Sequence, residues 1–122
     1  MKLHELSLKD QLNGLKEGSF SSTELTQHYL DRISNFDKDL NCFITVTEES
    51  ALEQAKDSDK RYKSNKALPL DGIPIAHKDI FCTEDILTTC GSRMLSNFKA
   101  PYSSTVVNNL SSDGVVVLGK TN

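Results

Sequence analysis

Apolar and polar positions alternate along this chain in two different rhythms. Leu8, Leu12 and Leu15 recur at helical spacing behind Ser7, with Asp10 three residues after the serine and Gly18 closing the run. That pattern predicts a capped helix over Ser7–Glu17, weakened by Gly14 inside it. A second helix opens at SSTE, where Ser21 and Glu24 form a capping-box pattern. Leu25, Tyr29, Ile33 and Phe36 follow at helical spacing and are expected to pack into the core. NCFITVT, Asn41 to Thr47, is β-branched and aromatic and reads as a strand. Thr47 is then placed to cap a third helix, with Glu48 and Glu49 at its positive end. Leu52, Ala55 and Tyr62 form its expected inner face, and Glu53, Lys56, Asp57 and Lys60 a solvated outer one.

Lys63 to Lys66 is a polar loop. LPLDGIPIAHKDIF follows, and then CTEDILTTCGSRMLSNF, which has little periodicity. Beyond Pro101, Ser103 or Ser104 can cap a short helix carrying Val106, Val107 and Leu110, with Gly114 as its stop. Val115 to Leu118 is wholly apolar, as expected of a strand covered on both faces. Strands alternating with helices predict an α/β fold with a mainly parallel sheet. No internal repeat or low-complexity segment interrupts it.

Composition narrows the function. The 122 residues are 37% hydrophobic and 25% charged, with 14 basic against 17 acidic residues and a net charge of −3. That is an ordinary single-domain composition with no basic footprint for direct nucleic-acid binding. No apolar run approaches the ~18 residues that would span a bilayer. The N-terminus, MKLHELSLKD, has no signal-peptide core. Cys42, Cys82 and Cys90 are an odd count without CxxC spacing and read as reduced thiols of a cytoplasmic protein. With His4, His28 and His77 they form no cluster at metal-ligand spacing, so no metal site is expected.

One motif fails on physical grounds. GVVVLGKT, Gly114 to Thr121, matches the phosphate-loop pattern GxxxxGK[ST]. A phosphate loop needs a strand before its first glycine and a flexible loop between the glycines. Here a helix precedes, and Val-Val-Val-Leu between the glycines wants to be the strand. Asn109-Leu110-Ser111 fits a glycosylation acceptor, but no secretion signal supports it.

GIPIAHKDIF places a lysine inside a strand pattern. Alternation puts Pro74, Ala76, Lys78 and Ile80 on one face, and Ile73, Ile75, His77, Asp79 and Phe81 on the other. If the first face is covered, the Lys78 amine is partly desolvated, its charged form is disfavoured, and it can serve as a general base. The simpler alternative is a lysine at a strand end whose stem packs while its head reaches water. Pro74 suits the start or edge of a strand. His77 is a second base, a packed core histidine or a donor to its neighbours. Asp79 is placed to hold either Lys78 or the chain turn.

LDGIPIAHKDIF, then LTTCGSRMLSNF, APYSSTVV and VVVLGKTN, in that order, resemble the amidase signature family. The resemblance is loose before Asn41 and strong from Leu68 to Asn122. The wording looks most like the branch whose members release ammonia from glutamine for tRNA-dependent amidotransferases. It implies an α/β/α fold with a mixed sheet covered by helices. It implies that Lys78 is the general base of a Ser-cisSer-Lys triad and works through the cis serine to activate the nucleophilic serine. Both serines, and the backbone donors for the oxyanion, belong to a Gly/Ser-rich segment beyond Asn122. The resemblance further implies glutamine as substrate, and two other subunits in a heterotrimer. One partner uses ATP and magnesium and holds most of the tRNA; no cofactor is implied on this chain.

Ser92, Ser103, Ser104, Ser111 and Ser112 have no glycine-rich loop around them and are expected to serve loops and caps, not as nucleophiles. Gly91 and Ser92 are candidates to border the substrate cleft. The chain is expected to be the N-terminal part, residues 1–122, of a single amidase domain cut before its catalytic serines, and inactive alone. A stand-alone amide hydrolase of the same family, a non-enzymatic truncated product and a nucleotide-binding domain are the competing expectations.

Overall fold

The computed structural model describes residues 2–122. Four helices and three strands follow one another: α1 (Leu8–Glu17), α2 (Ser22–Leu40), β1 (Phe43–Val46), α3 (Glu48–Lys63), β2 (Pro74–Lys78), α4 (Thr105–Ser112) and β3 (Val116–Thr121). Short 3-10 turns lie at Leu3–Glu5 and Arg93–Leu95.

Three of the predicted caps form as expected. Ser7 Oγ accepts from the Asp10 N–H at 3.2 Å. Ser21 Oγ accepts from Glu24 N–H at 3.0 Å, and Glu24 Oε2 accepts from the Ser21 N–H at 3.0 Å, completing the capping box. Ser104 caps α4 by accepting from Val107 N–H at 3.3 Å. Gly18 ends α1 in the left-handed region, φ 76°.

Thr47 departs from its expected role. Its hydroxyl makes no cap bond to α3. It donates instead to Val117 O at 3.0 Å, while the Thr47 N–H donates to Leu118 O at 2.9 Å. The nearby β3 backbone outcompetes the helix end for this side chain. Phe36 also departs: it is half exposed, under the Arg32 guanidinium at 5.2 Å, while Leu25 and Leu30 take the buried places on α2.

The sheet order is β1-β3-β2, with β1 antiparallel and β2 parallel to the central β3. The sheet is therefore mixed, where alternation alone had predicted a mainly parallel one. The β1–β3 pair is long-range, with α3, β2 and α4 between the two strands in sequence. Val116 and Leu118 of β3 form one core with Leu30 of α2 and Ala51 and Ala55 of α3. A second core joins Leu15, Leu25 and Ile73. Val115 to Lys120 are all buried, as a strand flanked on both edges and covered on its faces must be. The GVVVLGKT segment is thus the central strand itself, with α4 before it, and has no phosphate-loop geometry.

The register shifts once in each pair: on the β1 side between Phe43 and Thr45, and on the β2 side after Ile75. Ile75 pairs with Val117, but Ala76 pairs with Gly119, so β3 carries one extra residue there. Gly119 lets β1 approach at this point, because a Cβ would overlap the Thr45 carbonyl oxygen.

Candidate active site

β2 ends at Lys78, and the chain turns immediately. Asp79 N–H donates to Thr121 O at 2.7 Å, and Phe81 N–H to Lys78 O at 3.1 Å. The irregular segment then loops out and returns, with Cys90 N–H donating to Asp79 O at 3.0 Å. Asp79 fastens this return. Its buried Oδ2 accepts from Thr89 N–H at 2.9 Å and from the Thr89 hydroxyl. Of the two roles open to Asp79 in the sequence, the structure shows the one that holds the turn.

A small cleft of about 80 Å³ forms where turn and strand meet, lined by Lys78, Asp79, Ile80, Cys90, Gly91, Thr121 and Asn122. Lys78 and Gly91, 13 positions apart in sequence, thus line the same cleft. Gly91, at φ 70°, also borders a broader depression of about 470 Å³ with Ser92, Thr89 and Asn122. Ser92 does not line the Lys78 cleft. Its hydroxyl caps the 3-10 turn by accepting from Met94 N–H at 3.2 Å. Ser103 accepts from Glu84 N–H at 3.0 Å, and Ser111 and Ser112 are exposed on α4.

Lys78 itself is exposed, as is Ala76 beside it. The expected partial desolvation is absent in this structure, because β2 is an edge strand and the described residues leave its Lys78 side uncovered. His77 and Asp79, on the alternate side, are 4% and 2% exposed. His77 is a packed histidine, with Nε2 lacking a hydrogen-bond partner. Burial, and then the Lys120 charge, hold its pKa below the ordinary histidine value.

Lys120 did not stand out from its sequence context. It is fully buried, and Nζ donates to Phe81 O, to Thr83 Oγ1 at 2.8 Å and to Thr88 Oγ1 at 3.4 Å. Burial lowers its pKa, and the Asp79 carboxylate acts in the opposite sense. The signal was present: a cation closely following an apolar run that is covered on both faces. Among the described residues no group of three or more His, Cys, Asp or Glu side chains is arranged to hold a metal ion. No described helix is long and apolar enough to cross a membrane.

The mixed sheet with its helices is the fold that the resemblance carried by LDGIPIAHKDIF implies. The Amidase family model matches residues 24–122, and the chain belongs to that family. The A subunit of the glutamyl-tRNA(Gln) amidotransferase from Saccharophagus degradans is 55% identical over 120 residues, 98% of this chain and 25% of that protein. Its namesake from Nitrosococcus oceani is 54% identical over the same shares. Among solved structures, the peptide amidase of Stenotrophomonas maltophilia superposes with a TM-score of 0.91 at 34% identity, over 97% of this chain and 25% of that one. The chain spans about a quarter of the length of the curated relatives it matches.

Proposed function

We propose that this chain is the N-terminal part of the glutamine-hydrolysing subunit of a tRNA-dependent amidotransferase, and that Lys78 is its general base. The observation that carries this reading is the 55% identity to a glutamyl-tRNA(Gln) amidotransferase subunit over 98% of the chain. The position of Lys78 at the lip of a cleft formed by the Asp79 turn and Gly91 supports the role given to its amine.

In this mechanism Lys78, as general base, takes the proton of a cis serine, which takes that of the nucleophilic serine. The serine oxygen adds to the side-chain amide carbon of glutamine. Collapse breaks the C–N bond, gives a γ-glutamyl ester, and releases ammonia with the relayed proton. Water then adds to the ester and frees glutamate. Both serines lie in the part of the protein beyond Asn122. Gly91 borders the substrate, and Ser92 shapes the adjoining depression. The ammonia passes to a partner subunit that activates Glu-tRNA(Gln) with ATP and magnesium, and a third subunit completes a cytoplasmic heterotrimer. The balanced charge of this chain fits tRNA being held mainly on the partner.

The similarity to a peptide amidase favours one second reading, a stand-alone amide hydrolase. Glutaminase assays of the full-length protein, with and without its co-purifying subunits, separate the two. Partner-dependent glutamine hydrolysis that disappears in Lys78→Ala supports the amidotransferase. Near-normal single-turnover acylation in Lys78→Ala refutes the role of this lysine. Equal hydrolysis of simple amides without partners supports the stand-alone enzyme.

A further inference from the structure

The segment from Phe81 to Cys90 has no helix and no strand of the sheet, yet it leads into Cys90 and Gly91, which line the cleft with Lys78. Two groups hold it. One is Asp79, which grips Thr89 and Cys90 from the chain position next to Lys78. The other is Lys120 on β3, whose amine reaches Phe81 O, Thr83 Oγ1 and Thr88 Oγ1.

The surroundings of that amine suit an ammonium. The Thr83 hydroxyl can donate to Phe81 O at 3.2 Å, and the Thr88 hydroxyl to Ile86 O at 3.2 Å, which leaves their lone pairs toward Nζ. An ammonium has three N–H donors for the three oxygens. The Asp79 carboxylate favours that charged form, while burial acts against it. Burial, and then the Lys120 charge, hold the pKa of His77, its partner across the ladder, below the ordinary histidine value. Burying an ammonium is costly, so a fold that does so gains something more than packing from its hydrogen bonds.

We propose that Lys120 is a positioning residue for the Lys78 cleft: its ammonium ties the Phe81–Thr88 loop to the central strand and so holds the Cys90–Gly91 rim opposite Lys78. Lys120 touches no substrate in this scheme. It acts on the rim through three loop oxygens, and the catalytic part of the inference rests on the reading of Lys78 as the base.

Amide hydrogen exchange and glutaminase kinetics of the full-length protein test it together. In Lys120→Met, exchange at the Thr89 and Cys90 amides should rise tenfold or more, while α2 and α3 keep their protection. The same variant should lose at least tenfold in kcat. Thr83→Val, which removes one acceptor and leaves the ammonium, should shift the same two amides in the same direction by less. It also decides the matter if Lys120→Met does not fold. Wild-type exchange at Thr89 and Cys90 in the folded variants overturns the proposal. So does a uniform rise across α2 and α3, which marks a general stability role. Lys78→Ala is the internal control and should lose activity with the rim fully protected. If Lys78→Ala stays active, the glutaminase reading falls, while the exchange data still judge Lys120.

Discussion

Lys78 ends β2 and Lys120 is the next-to-last residue of the neighbouring β3, and a single extra residue in β3 keeps their amines apart. Ile75 pairs with Val117; continued without a break, that register would set Lys78 opposite Lys120. The shift to Ala76–Gly119 sets Lys120 opposite His77 and Lys78 opposite Thr121. Paired side chains share a face and successive ones alternate, so one amine enters the interior and the other faces the cleft. Two ammonium groups side by side would repel. The bulge gives each lysine a separate environment.

Lys78→Ala and Lys78→Arg should each lower glutamine hydrolysis by the full-length protein by about 100-fold or more, the usual contribution of a positioned acid or base. Arginine preserves the charge but does not release its proton, so it should fail as alanine does. Circular dichroism should show both variants folded, because the side chain is exposed and makes no described core contact. Steady-state ammonia release checks the outcome.

Asp71 should be the most sensitive charged position for stability. It is fully buried and holds Arg61 in a two-point grip, Nε to Oδ2 at 2.7 Å and Nη2 to Oδ1 at 2.6 Å. Leu68 N–H donates to the same carboxylate at 3.0 Å. Arg61→Ala leaves that charge without its main partner and should cost on the order of 3 kcal/mol in urea unfolding. Burial raises the Asp71 pKa, but the Arg61 and Leu68 hydrogen bonds outweigh it and the net shift is downward. A lowered folded pKa means that the unfolded chain binds the proton more readily. The stabilisation should therefore be complete above about pH 4 and fade as pH falls below it. Asp71→Asn should flatten that acid limb.

His77 should produce a separate pH dependence. Its folded pKa is lowered by burial first and by the Lys120 charge second. Below about pH 6.5 the unfolded chain takes up a proton that the folded one resists, so stability should rise with pH through this range and level off above it. His77→Gln should remove part of that slope. His4 is shifted in the same direction, by burial and then the Arg32 charge, so His4→Asn is the necessary companion variant. Urea midpoints between about pH 5 and 8 measure both.

Gly119→Ala should be poorly tolerated. The new methyl would overlap Thr45 O and meet the Phe43 ring at 3.1 Å, and the nearer contact is backbone. β1 must move away from β3, at a cost of about 1–3 kcal/mol for overpacking. Faster exchange at Val46 and Thr45, with β2 unaffected, would identify this cause.

Much of the fold is legible in the chain because its signals are local. Ser7, Ser21 and Ser104 cap helices within three residues of themselves, Gly18 closes α1 by its own φ, and the apolar run at Val115 declares a covered strand. The same locality ruled out a phosphate loop at Gly114–Thr121, and GIPIAHKDIF marked Lys78. Only tertiary structure could turn Thr47 away from its helix toward Val117 O, expose Phe36, and orient β1 against β3. It alone decided between the two readings of Lys78, leaving it exposed, and it buried Lys120. A cap or a turn is decided by atoms a few bonds away. The burial of an amine is decided by which distant oxygens, here those of Phe81, Thr83 and Thr88, the fold brings to meet it.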